Sequence, residues 1–111
     1  MKNIVVLVSG GGTNLQALID AEKSGIIKGG KITCVIASKD GVYALERAKN
    51  NDIPTRVIPR KEYSDISSYT KAVTDALIEE KADLVVYAGF MTILDEQVVK
   101  AFPYKMMNVH P

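Results

Sequence analysis

A chain of 111 residues with 47% hydrophobic and 24% charged residues has the profile of one globular domain with a packed core, which sets disorder aside. Its formal net charge of +1 gives no bulk attraction to nucleic acid or an anionic membrane, and runs such as Ile4 to Val8 are too short for a membrane span or a signal core. The expectation is a cytoplasmic protein whose single cysteine, Cys34, is a buried thiol in a reducing compartment.

The first apolar run, Ile4 to Val8, reads as a β-strand and leads into Ser9-Gly10-Gly11-Gly12-Thr13-Asn14. Leu15, Leu18 and Ile19 then recur at helical spacing, so the three glycines stand at a strand-to-helix turn. Thr13 followed by Gln16 matches a capping box, and Gly25 is a plausible stop. A second strand is predicted over Ile32 to Ala37 and a second helix over Val42 to Asn50, with Pro54 preventing its continuation. Arg56 to Ile58 reads as a short strand. The third helix, predicted from about Ile66 to Glu80, carries Ile66, Tyr69, Val73, Ala76 and Leu77 on one stripe, with Ser68, Lys71, Asp75 and Glu79 outside it. Leu84 to Ala88 is the fourth strand, Asp95 to Ala101 a short helix stopped by Pro103, and Met106 to Val109 the fifth strand.

Strands and helices alternate along the whole chain, with no repeat or linker between them. This predicts an α/β fold: a doubly wound, open parallel sheet with strand order 3-2-1-4-5. In such a sheet, ligands bind outside the carboxyl ends of the strands near the reversal of order, here between the first and fourth strands.

Three segments fall at those ends. Glycines let a ligand approach backbone amides, and the helix that follows presents unpaired N–H groups and a positive dipole end, so the glycine turn suits a phosphate. A tight turn without a ligand accounts for it equally well. A dinucleotide fingerprint fits less well, because Leu15 occupies the place of its third glycine and Asp40 comes late for the ribose-binding acid; NAD binding is the alternative reading. After the fourth strand, Phe90 and Met91 offer an apolar surface for a flat ring, although such residues more often close a core. At the fifth strand, Asn108 and His110 alternate onto one face, which suits acyl-group chemistry: an amide to hold an oxyanion and an imidazole to move a proton. A polar segment with a solvated histidine is the competing account.

The stretches "IVVLVSGGGTNLQALIDA", "ALERAK", "ADLVVYAGFMTIL" and "MNVHP" together resemble the glycinamide ribonucleotide formyltransferases, folate-dependent enzymes of purine biosynthesis. The resemblance runs through the whole chain and implies a Rossmann-like formyltransferase fold. It implies that Gly11, Gly12, Thr13 and Asn14 receive the phosphate of glycinamide ribonucleotide. Asn108 would polarise the formyl oxygen and His110 would transfer the proton, while Phe90, Met91 and Thr92 would lie beside the folate. The implied donor is 10-formyltetrahydrofolate; no metal, nucleic acid or membrane is implied, and a monomer or homodimer is expected. Many members carry basic residues where Thr92 and Ile66 stand here, so contacts from these positions are expected to differ. Members of the family are nearly twice as long. The resemblance therefore makes residues 1–111 the N-terminal, nucleotide-binding half of a formyltransferase domain, whose catalytic aspartate and most folate-binding loops belong to the other half. The 111 residues alone are expected to be inactive, with a bare phosphate-binding half-domain as the further alternative.

Overall fold

The apolar runs lie side by side in one parallel sheet. Its strands are β1 (Lys2–Val8), β2 (Gly30–Ala37), β3 (Thr55–Val57), β4 (Leu84–Ala88) and β5 (Met106–Val109), in the order β3-β2-β1-β4-β5 that the alternation predicts. This computed structural model describes residues 2–27, 29–90, 94, 96–102 and 105–109. Between the strands run α1 (Thr13–Lys23), α2 (Tyr43–Asn50), α3 (Ile66–Glu79) and α4 (Glu96–Ala101), with a short 3-10 turn at Arg60–Glu62 in the connection from β3 to α3.

Helices cover both faces of the sheet, which is why β1 is apolar at every position from Ile4 to Val8 instead of alternating with polar residues. On one face, Ile4, Val6 and Val8 pack with Leu15 and Ile19 of α1 and with Ala44, Leu45 and Ala48 of α2. On the other, Val5 and Leu7 pack with Tyr69, Val73 and Leu77 of α3 and with Val98 of α4. The hydroxyl of the fully buried Tyr69 donates to the Ile58 carbonyl at 2.8 Å, fastening α3 to the segment after β3.

One irregularity separates the two faces of β2. The register with β1 shifts between Ile4 and Val5, so that Ile4 pairs with Ile32 but Val5 pairs with Cys34, leaving Thr33 as an extra residue. Ile32 and Cys34 consequently serve opposite core layers although they are two residues apart. At the amino end of the sheet, β1 and β4 are clasped reciprocally: the Asn3 amide donates to the Asp83 carboxylate at 2.7 Å, and the Asp83 amide donates to the Asn3 carbonyl at 2.8 Å.

The capping box expected at Thr13 and Gln16 does not form. Thr13 is already the first helical residue, and Gly12 takes the cap position with φ of 83°, making no side-chain cap. The side chain of Gln16 is engaged elsewhere, donating to Asp20 at 3.0 Å and accepting from Arg47 at 3.2 Å. α3, in contrast, starts on a side-chain cap, with Asp65 Oδ1 accepting from the Ser68 amide at 2.7 Å.

Candidate active site

The glycine turn stands at the carboxyl end of the central strand. Gly10 and Gly11 are exposed, and a Cβ built on either would meet nothing within 4 Å, so the approach to this backbone is open. Gly12 differs: its left-handed conformation disfavours a side chain, and a Cβ there would lie 2.8 Å from both Cα and Cβ of Ala44. The last glycine of the run is thus demanded by the contact between α1 and α2, and the first two leave room for a ligand.

The turn is anchored from one side. The Ala44 amide at the start of α2 donates to the Gly10 carbonyl at 3.1 Å. One helical turn later, Arg47 Nε donates to the Gly11 carbonyl at 2.8 Å, and its guanidinium lies 4.8 Å from the centre of the Tyr43 ring. Below the turn, Ser9 and Ser38, each following its strand, share a buried hydroxyl–hydroxyl bond of 2.7 Å. Arg47 and the serine pair were missed in the sequence, although "ALERAK" places Arg47 four residues after Tyr43 on the same face of a short helix.

Thr13, exposed, and Asn14, half-buried, open the first turn of α1, whose leading amides have no acceptors within the helix. Leu15, standing where a dinucleotide turn has its third glycine, is fully buried in the core on that face, which gives α1 a side-chain spacing from the sheet. Asp40, the late candidate for a ribose contact, accepts from the neighbouring Gly41 amide at 2.8 Å.

Across the reversal of strand order, Gly89 turns the chain with φ of 72° after β4. Phe90 is half-buried, packs on the core beneath α3 and α4, and holds its ring centre 5.8 Å from that of Tyr87 at a tilt of 52°. Met91, Thr92 and His110 lie outside the described residues. Asn108 stands in β5 in register with Tyr87 of β4, which puts its backbone near the carboxyl edge of the sheet. The glycine turn, Phe90 and Asn108 therefore belong to three chain segments that leave neighbouring strands at one edge.

A concavity of about 850 Å³ opens at the carboxyl ends of β2 and β3, lined by Ser38, Lys39, Asp40, Val57, Arg60 and Lys61 among others. The sequence reading, which looked to the junction of β1 and β4, did not anticipate it. Cys34 is completely buried, and that burial, with the nearby Glu80 carboxylate, pushes its thiol up to about 12; it stays protonated and inert. Among the described residues, no group of three or more His, Cys, Asp or Glu is placed to hold a metal ion, and no helix is long and apolar enough to cross a membrane.

Comparison with known proteins gives the site a context. Residues 2–111 match the formyl transferase family. Over 111 residues the chain is 46% identical to the phosphoribosylglycinamide formyltransferase of Haemophilus influenzae, with all of this chain and 52% of that protein covered. It is 41% identical over 108 residues to the human trifunctional purine biosynthetic protein adenosine-3, matching 97% of this chain and 11% of that protein. The fold superposes on the crystal structure of glycinamide ribonucleotide transformylase 1 from Symbiobacterium toebii with a TM-score of 0.93 at 34% identity, covering 100% of this chain and 52% of that one. The chain spans about half the length of the single-enzyme relatives it matches.

Proposed function

Because this chain belongs to the formyl transferase family, we propose that the protein containing it transfers a formyl group from 10-formyltetrahydrofolate to the amine of glycinamide ribonucleotide, a step of purine biosynthesis. The observation that carries this reading is the 46% identity to a phosphoribosylglycinamide formyltransferase across all 111 residues. An open glycine turn at the end of the central strand supports it. Residues 1–111 are read as the nucleotide-binding half of the domain, in a cytoplasmic enzyme acting as a monomer or homodimer without metal, nucleic acid or membrane.

In this reading, Gly11, Gly12, Thr13 and Asn14 receive the substrate phosphate, which suits the amides and dipole at the start of α1. Phe90, Met91 and Thr92 border the folate, consumed as a second substrate. The primary amine of the ribonucleotide attacks the formyl carbon, forming a C–N bond as the carbonyl electrons move onto oxygen. The amide group of Asn108 donates to that oxyanion. Collapse of the tetrahedral intermediate breaks the bond to the folate nitrogen, and His110 carries the proton lost by the attacking amine to that leaving nitrogen. Formylated ribonucleotide and tetrahydrofolate result, with atoms and charge balanced.

The test is an assay of the full-length protein with glycinamide ribonucleotide and 10-formyltetrahydrofolate, following release of tetrahydrofolate. Turnover that needs both substrates is expected. Formyl transfer to a different amine acceptor, with none to the ribonucleotide, would overturn the reading.

A further inference from the structure

We propose that Arg47 is a positioning residue for the substrate phosphate, aiming the amides of the glycine turn from behind; the proposal rests on the functional reading above. Its basis is the planarity of the peptide group. In a trans peptide the carbonyl and the N–H of the next residue point in opposite directions, and the described chain has no cis bond. The Gly10 carbonyl is held by the Ala44 amide and the Gly11 carbonyl by Arg47 Nε, both donors belonging to α2. The Gly11 and Gly12 N–H groups must therefore point away from α2. Since α2 packs over β2 and β3, away from it means toward the β4 side of β1, where the order of strands reverses.

Arg47 does this with more rigidity than one bond gives. Its Nη1 donates to Gln16 Oε1 at 3.2 Å, the Gln16 amide donates to the Gly12 carbonyl at 2.8 Å, and the guanidinium lies over the Tyr43 ring. The planar fork thus bridges the turn to the first turn of α1, a geometry that a lysine ammonium cannot reproduce. A cationic donor on the Gly11 carbonyl also polarises that peptide, strengthening the Gly12 N–H as a donor to an anion on the far side. Arg47 acts through the turn, and in this arrangement need not touch the substrate.

The experiment compares full-length wild type with Arg47→Ala and Arg47→Lys. For Arg47→Ala, the KM for glycinamide ribonucleotide is expected to rise about ten- to hundredfold with kcat little changed. Arg47→Lys should recover part of the loss. A direct titration with inorganic phosphate, followed by calorimetry, should show weakened binding in the same order of variants, and needs no turnover. Wild type that binds phosphate but forms no formylated product would overturn the functional reading while leaving this one standing. An unchanged KM and unchanged phosphate binding in Arg47→Ala would overturn the role of Arg47, as would a fall confined to kcat. If the alanine variant does not fold, Arg47→Lys gives the same readouts, and wild-type values there would overturn it equally.

Discussion

Ser9 and Ser38 meet hydroxyl to hydroxyl at 2.7 Å, buried beneath the turn that follows β1 and the loop that follows β2. Each hydroxyl helps satisfy the other, so truncating one leaves a polar group enclosed. Ser9→Ala and Ser38→Ala should each destabilise the full-length protein by about 1–2 kcal/mol. The double variant should lose less than the sum, because both single truncations remove the same shared bond. Denaturant midpoints for the four proteins measure this coupling, and strict additivity would mean the pair contributes nothing.

The two later glycines of the turn should fail in different ways. Gly12→Ala forces a left-handed alanine against Ala44 and is expected to lower stability by about 2–4 kcal/mol. Gly11→Ala, with open space around its Cβ, should change stability by less than about 0.5 kcal/mol while raising the KM for the ribonucleotide. Thermal melts beside steady-state kinetics separate the two.

Alkaline pH should unfold the protein through its buried acids. The Cys34 thiol is pushed up from 9.0 to about 12, first by burial and then by Glu80, and the Tyr69 phenol from 10.0 to about 12, again by burial. Each neutral form is favoured in the folded state. Their contributions are complete below the unfolded values and disappear as pH climbs through the folded ones. Urea midpoints should begin falling near pH 9 and continue toward 12. In Cys34→Ala the onset should move to about pH 10, where Tyr69 begins to titrate in the unfolded chain.

His110→Ala in the full-length enzyme should lower kcat by about a hundred- to ten-thousandfold, with nucleotide binding kept. Asn108→Ala should act on the same step and leave KM for the ribonucleotide near its wild-type value. A variant at either position with normal kcat would remove that residue from the proposed chemistry.

The architecture was largely readable in the chain because burial on both faces writes strands as unbroken apolar runs. Leu84 to Ala88 and Met106 to Val109 are the strands their apolar runs predict, and of the orders open to an alternating chain the sheet has the expected 3-2-1-4-5. Local features that depend on a distant neighbour were not readable. Thr13 and Gln16 spell a capping box, yet Ala44 crowds Gly12 and Arg47 claims Gln16, and both partners lie about 30 residues away in the chain. The extra residue at Thr33 leaves no trace in a run that is apolar on either side. For the site, the glycine turn was recognisable, but its backing by α2 was not, since a hydrogen bond to a backbone carbonyl imposes no pattern on the sequence. Of the remaining candidates, Phe90 proves to be core-packed and Asn108 sits in β5, whereas Met91, Thr92 and His110 fall beyond the described residues.

The clasp between Asn3 and Asp83 joins groups 80 residues apart, and it bears on how the molecule is made. β1 lies in the middle of these five strands, and its second neighbour, β4, follows it by some 80 residues in the chain, so β1 leaves the ribosome well before the strand that pairs with it. Until residues 84–88 have been made, β1 has β2 on one side and a bare, apolar edge on the other. The nascent chain therefore carries an apolar edge before the strand that seals it exists, and slower elongation or a short supply of chaperones should lower its yield in the cell.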